Sequence, residues 1–177
     1  ANQNYDGEAY NIAVGYNAGN QVTSGIRNVL IGGLAGDALT TGNYNVAIGY
    51  TALGTEDNDG RNVAVGYAAL ATQNAGAAGY NVALGFEAGL SVTTGTYNTI
   101  VGGLAGDALT SGNTNVAIGY QALTSETQGD RSVAIGVSAL EVQNNTSNAD
   151  IYNVAVGYHA GKAMTTGVQN TLIGGLA

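Results

Sequence analysis

The stretch Asn45–Leu53 reads Asn-Val-Ala-Ile-Gly-Tyr-Thr-Ala-Leu, and versions of it occur ten times in the 177-residue chain. Most copies lie 17 residues apart, and four of them make a super-repeat of about 70 residues, since NVLIGGLAGDAL at 28–39 returns as NTIVGGLAGDAL at 98–109. A fixed period of this kind predicts a solenoid in which every repeat forms one coil. The repeats begin at Asn11, Asn28, Asn45, Asn62, Asn81, Asn98, Asn115, Ser132, Asn153 and Asn170.

The composition restricts the fold to short strands and turns. With 29 Gly, 45% hydrophobic residues and 9% charged residues, the chain is too apolar for disorder and too often interrupted by glycine for helices. We number each repeat from its first residue, so that Gly stands at position 5 and Ala at position 8 of every copy. We predict an all-β protein: a parallel β-solenoid of about 10 coils, with residues 1–177 forming a single repeat domain that is a fragment of a longer fibre.

The alternation Val-Ala-Ile in each repeat predicts a three-residue strand with two different faces. Its bulky side, exemplified by Val46 and Ile48, is expected inside the coil together with Leu53. The opposite side, Ala47 and Gly49, is expected to be bare and to pack against a neighbouring chain. Some repeats replace this Ala by a larger residue and the Tyr at position 6 by Gly, which suggests that the two positions fill a shared space. These pairs are Leu30 with Gly33, Ile100 with Gly103, and Leu172 with Gly175.

Asparagine and tyrosine recur at fixed positions. Asparagine at position 1 is expected to form a structural ladder that satisfies buried amides without charge. Tyrosine at position 6 is a candidate for receptor or glycan contact, with packing along the ladder as the alternative. The expected ladder is Asn11, Asn28, Asn45, Asn62, Asn81, Asn98, Asn115, Asn153 and Asn170. The candidate contacts are Tyr16, Tyr50, Tyr67, Tyr120 and Tyr158, and a second set before position 1 is Tyr10, Tyr44, Tyr80, Tyr97 and Tyr152.

The string Asn-Val-Ala-Ile-Gly-Tyr-x-Ala-Leu, at 45–53 and 115–123, resembles the repeats of phage tail fibres and the head repeats of trimeric autotransporter adhesins. The resemblance covers essentially the whole chain, although these repeats are longer than those of the adhesins and add the Tyr. It implies a left-handed parallel β-roll with three chains around a threefold axis. The implied function is a structural shaft segment of a trimeric virion fibre, which presents or spaces a host-attachment surface.

A bacterial trimeric surface adhesin or an extracellular filament is the alternative function. Both functions place the chain outside the cell, on a virion or a bacterial surface. The expected partners are further copies of the chain and a host cell-surface glycan or protein. Sequence alone leaves open whether the source is viral or bacterial.

Charge and residue chemistry argue against other classes. A formal charge of −8 gives no basic footprint for nucleic acid, and no apolar run approaches the length of a membrane span. The chain has no Cys, and its single His, His159, occupies a variable position, so we expect no enzyme and no cofactor. A hexapeptide-type acyltransferase and an ice-binding solenoid rank lowest. We also expect no metal site, because Asp37, in a stretch similar to calcium-binding repeats, lacks a second carboxylate in the next coil.

Two segments depart from the standard repeat length. The loop at 71–80 is longer by two residues and the loop at 141–152 by four, and both are expected to project from the rod. Near such loops Asp59 is expected to pair with Arg61, and Asp130 with Arg131.

Overall fold

A computed structural model of the chain describes residues 8–58 and 60–177. They form ten strands of three residues in one parallel sheet whose strand order follows the chain. The predicted parallel β-solenoid with coils of about 17 residues is confirmed, and no helix occurs among the described residues. The strands are β1 (Ile12–Val14), β2 (Val29–Ile31), β3 (Val46–Ile48), β4 (Val63–Val65), β5 (Val82–Leu84), β6 (Thr99–Val101), β7 (Val116–Ile118), β8 (Val133–Ile135), β9 (Val154–Val156) and β10 (Thr171–Ile173).

Successive coils lie in register. Ala47 of β3 pairs with Ala64 of β4, and the other strands pair with the same offset of one repeat. Hydrogen bonds between coils continue beyond the strands, as where the N–H of Leu53 donates to the carbonyl of Ala69 at 3.0 Å. Each position therefore lies over the same position of the next coil, about 4.8 Å away along the rod.

The two strand faces are the reverse of the prediction. Ala47 is completely buried inside the coil, whereas Val46 and Ile48 are half-buried on its outer side. The interior is narrow and already contains the larger residues of positions 9 and 12, such as Leu53, so a small residue fits at the strand centre. The expectation of a bulky interior and a bare outer face was wrong.

The exchange of Leu and Gly between repeats also has a different cause. Leu30 is completely buried inside the coil, while Gly33 lies on the outside against the ring of Tyr50, so the two do not share a space. Leu30 instead fills the room left by glycine at position 9. A Cβ built on Gly36 would lie 2.8 Å from Cδ2 of Leu30, and one on Gly19 would lie 2.6 Å from its Cδ1. Volume is thus balanced between positions 3 and 9 of the interior.

The glycine at position 5 marks the closest approach of successive coils. Gly119 has a φ of 134°, in a region that other residues avoid. A Cβ at this residue would lie only 2.4 Å from the carbonyl oxygen of Gly136 in the next coil. Neither the conformation nor the space accepts a side chain, which explains the glycine in every repeat.

We predict that Gly119→Ala lowers the free energy of unfolding by about 2–4 kcal/mol, because it combines backbone strain with a clash against the next coil. The matched control is Gly103→Ala. Gly103 has no positive φ, and its added Cβ would meet its nearest neighbour at 3.6 Å, so we expect a change below about 1 kcal/mol. Denaturant unfolding followed by circular dichroism measures both, and equal losses would contradict this account.

Candidate functional site

The tyrosines at position 6 form an exposed row on the outside of the coils. Where aromatic residues follow one another, their rings stack. Tyr50 lies 5.8 Å from Tyr67, and Tyr67 lies 5.1 Å from Phe86, with the rings within 15° of parallel. The structure therefore brings together two of the five predicted contact residues, while Gly33, Gly103 or Val137 interrupts the row beside the others. We call the set the outer aromatic row; it consists of Tyr16, Tyr50, Tyr67, Phe86, Tyr120 and Tyr158.

A second exposed row contains most of the remaining aromatic side chains together with arginines, and the two kinds alternate from residue 10 to residue 80. The guanidinium carbon of Arg61 lies 5.6 Å from the ring centroids of both Tyr44 and Tyr80, and that of Arg27 lies 5.3 Å from Tyr44. Three of the four basic residues of the chain belong to this row, where cation–π contacts stabilise it from within. The row, which precedes position 1, consists of Tyr10, Arg27, Tyr44, Arg61, Tyr80, Tyr97, Thr114, Arg131, Tyr152 and Gln169.

The ion pairing at the loops differs from the prediction. Arg131 pairs with Asp150 of the next coil and not with its neighbour Asp130, whose carboxylate accepts a backbone N–H of the preceding coil at 2.6 Å. Asp130 and Asp150 lie side by side in an isolated parallel bridge between the two coils, which places the Asp150 carboxylate within reach of Arg131. The other expected pair, Asp59 with Arg61, lies outside the described residues, because Asp59 does.

The asparagines at position 1 connect each coil to the next through side chain and backbone. The backbone N–H of Asn45 donates to Oδ1 of Asn28 at 2.9 Å, and that of Asn62 donates to Oδ1 of Asn45 at 3.0 Å. Nδ2 of Asn28 donates to the carbonyl of Gly42 at 2.9 Å, which closes the same coil. The oxygen therefore bonds a backbone donor of the next coil, and that of Asn153 also accepts the side-chain amide of Asn170 at 3.2 Å. Side chains that accept in this way are Asn11, Asn28, Asn45, Asn62, Asn81, Asn98, Asn115 and Asn153.

Sequence reasoning missed a buried carboxylate at position 12. Oε1 of Glu126 accepts the backbone N–H groups of residues 127–129 at 2.8–3.2 Å and that of Asn145 at 2.9 Å. Oε2 accepts the side-chain amides of Gln143 at 2.9 Å and Asn145 at 3.0 Å. Glu126 therefore fastens the long loop 141–152 to the coil before it.

These contacts determine the ionisation of the buried group. Burial alone raises the pKa of the Glu126 carboxyl, but hydrogen bonds from Asn145, Gly129 and Gln143 favour the carboxylate more strongly, so that its pKa is lowered overall. Oε1 of Gln143 accepts in turn from Asn153 at 2.7 Å, which joins this cluster to the asparagine ladder.

The sequence does contain a signal for this cluster. Glu and Gln occupy position 12 of consecutive coils twice, as Glu56 with Gln73 and as Glu126 with Gln143, where the other coils have Val, Leu or Met. All four side chains are completely buried. In the first pair, Nδ2 of Asn62 donates to Glu56 at 3.3 Å. Oε1 of Gln73 accepts Nδ2 of Asn81 at 2.9 Å. A polar residue at a position that is otherwise apolar in every coil therefore indicates a buried side chain that hydrogen-bonds to the asparagine ladder.

The apolar side of the sheet is a continuous surface that extends along all ten strands. The first and third residues of every strand are Val, Ile or Leu, apart from Thr99 and Thr171, and none is charged. Ile31 and Leu84 are each 37% exposed, and most of the others are half-buried. We call this surface the apolar strand face. Continuous apolar surfaces of this kind are uncommon on monomers and mark interaction sites.

The structure also places the residues considered above for other types of site. Among residues 8–58 and 60–177, no group of three or more His, Cys, Asp or Glu side chains is placed to hold a metal ion. The ring of His159 stacks on Tyr158 with centroids 3.7 Å apart. The carboxylate of Asp107, the counterpart of Asp37, accepts the hydroxyl of Thr124. In the same described segments, no helix has the length and apolarity to cross a membrane.

Comparisons of the chain with protein-family models, with curated proteins and with solved structures find no match. The resemblance to phage fibres and adhesin heads therefore depends on the repeated motif at 45–53 and 115–123. The parallel coils and their repeat are consistent with a β-roll.

We predict that Glu126→Gln lowers the free energy of unfolding by about 2 kcal/mol at neutral pH, because an amide cannot accept all the donors that surround the carboxylate. The folded-state pKa is lowered, so the carboxylate's contribution is complete above the ordinary value of 4.5 and is lost as pH falls through the folded-state pKa. Denaturant unfolding from pH 7 downward should show a smaller acid-induced loss in the variant. Parallel pH profiles for the two proteins would contradict this role.

Proposed function

We propose that the chain is a shaft segment of a trimeric fibre, in which the apolar strand faces of three copies pack around a common axis. The observation that carries the proposal is the period of that face, which repeats once per coil, about every 4.8 Å, over ten coils. A partner matches it along its whole length only if it has the same repeat, as another copy of the chain does. The face is uncharged, so two copies of an acidic chain can approach there.

The motif resemblance supports a phage tail or virion fibre that presents or spaces a host-attachment surface. A bacterial trimeric surface adhesin or an extracellular filament is the second candidate. The exposed outer aromatic row suits contact with glycan or protein in either function. Both functions are extracellular and structural. In both, the partners are further copies of the chain and a cell-surface ligand, and the net charge of −8 argues against nucleic acid.

We predict a light-scattering mass of three times the 17.6 kDa chain. Val116→Asp, in the centre of the apolar strand face, should shift the protein to monomers, because three carboxylates would be buried near one axis. Thr114→Asp is the matched control, since Thr114 is exposed in a different row and its variant should remain trimeric.

Circular dichroism of each variant establishes that it keeps the strand signal of the parent. A monomeric parent chain would contradict the proposal, and a dimeric one would contradict the threefold arrangement. A Val116→Asp variant that remains trimeric would exclude the apolar strand face as the contact.

A further inference from the structure

Stacking leaves few ring faces of the outer aromatic row available to a ligand. Tyr67 is covered on one side by Tyr50 and on the other by Phe86, with centroids 5.8 and 5.1 Å away. A ligand approaching the middle of this stack therefore meets ring edges and hydroxyl groups. The faces that can accept a further ring are those at the two ends.

Each end of the stack borders a glycine. Gly33 lies between Tyr16 and Tyr50, and Gly103 lies between Phe86 and Tyr120, so the row contains two gaps one super-repeat apart. Among the described residues no ring stacks across either gap. Two coils that flank a glycine coil are separated by two coil spacings, so their aromatic rings are about 10 Å apart. A further ring placed between them would lie about 5 Å from each, within the range of aromatic contacts.

The backbone does not require glycine at these two places. Neither Gly33 nor Gly103 has a positive φ, in contrast to the glycines at position 5. An added Cβ would lie 3.6 Å from Cδ2 of Tyr120 at the second gap, which is an ordinary contact, and 3.3 Å from Cδ2 of Tyr50 at the first, where the exposed Tyr50 ring must move by a few tenths of an ångström. At both gaps the glycine backbone lies beside the aromatic ring of the following coil. Other coils have Tyr, Phe or Val at the same position. Folding of the coil therefore does not account for the missing side chains.

Polar side chains at position 7 follow the rings that flank each gap, while the gap coils themselves have Leu34 and Leu104 at this position. Asn17 and Thr51 lie in the coils on either side of the first gap, and Glu87 and Gln121 in those beside the second. Asn17 is exposed and the other three are half-buried, so their amide, hydroxyl and carboxylate groups are accessible to ligand hydroxyls. The carboxylate of Glu87 disfavours an anionic ligand.

We infer that the gaps at Gly33 and Gly103 are two equivalent binding sites, each for one pyranose ring of a neutral oligosaccharide. The C–H bonds of a sugar ring carry partial positive charge and suit the negative faces of the flanking aromatic rings. A puckered saturated ring is also thicker than a flat aromatic one, which suits spacings of about 5 Å. The two sites lie on the same side of the rod, about 19 Å apart, so one extended glycan can contact both.

The test is saturation-transfer NMR on the full chain with maltohexaose, cellohexaose and mannohexaose as separate probes. We expect transfer to the ring protons of at least one probe. The double variant Gly33→Tyr with Gly103→Tyr fills both gaps with the residue of neighbouring coils. It should keep the unfolding temperature of the parent and weaken binding by about tenfold or more.

Two further variants distinguish the gaps from aromatic surface in general. Phe86→Ala removes one wall of the second gap and should weaken binding, whereas Tyr97→Ala removes an exposed ring from the other row and should not. The inference is overturned if no probe receives saturation, if the filled double variant binds like the parent, or if Tyr97→Ala weakens binding as much as Phe86→Ala.

This inference goes beyond the proposed shaft function, and the two fail separately. Light scattering of the same samples reports the assembly. A trimer that binds no probe contradicts the sugar sites alone, and a monomer that binds a probe through the gaps contradicts the trimeric shaft alone.

Discussion

Every coil must lie directly on the next at the spacing of a β-ladder, and the remaining structure depends on that constraint. At position 5 the approach is so close that a Cβ on Gly49 would lie 2.2 Å from the carbonyl oxygen of Gly66. Asparagine at position 1 uses its side-chain oxygen to bind the backbone of the following coil. These two positions are almost invariant because their neighbours are other coils, while most positions on the outside vary.

Because the coils stack in register, each repeat position forms a row of side chains along the rod, and each row has a distinct structural role. Positions 3, 8, 9 and 12 fill a narrow interior, in which a large residue at position 3 is accommodated by glycine at position 9 of the same coil and of the coil before it. Position 12 also accepts charge where donors converge, as at Glu126. Outward rows are free to be aromatic, cationic or apolar, so a rod built mainly for packing also presents long one-dimensional surfaces.

The parallel coils, their period and the location of the strands could be predicted because they follow from spacing alone. The orientation of the strand could not, since Val46-Ala47-Ile48 alternates equally well with either face inside. The interior volume determines which strand face is buried, because Leu53 already occupies the inside of the coil and the small Ala47 fits beside it. The pairing of Leu30 with Gly36, rather than with Gly33, was the sequence signal for that packing.

The Glu126 cluster was not predicted for a different reason, because its donors come from two coils and an inserted loop.

The most direct test of in-register stacking is an NMR measurement of couplings through hydrogen bonds in isotope-labelled protein. The backbone nitrogen of Asn62 should couple to the side-chain carbonyl carbon of Asn45, and the same should hold for Asn45 with Asn28. Couplings to other carbonyls, or amide protons at these sites that exchange as fast as in an unfolded peptide, would contradict the stacked-coil account.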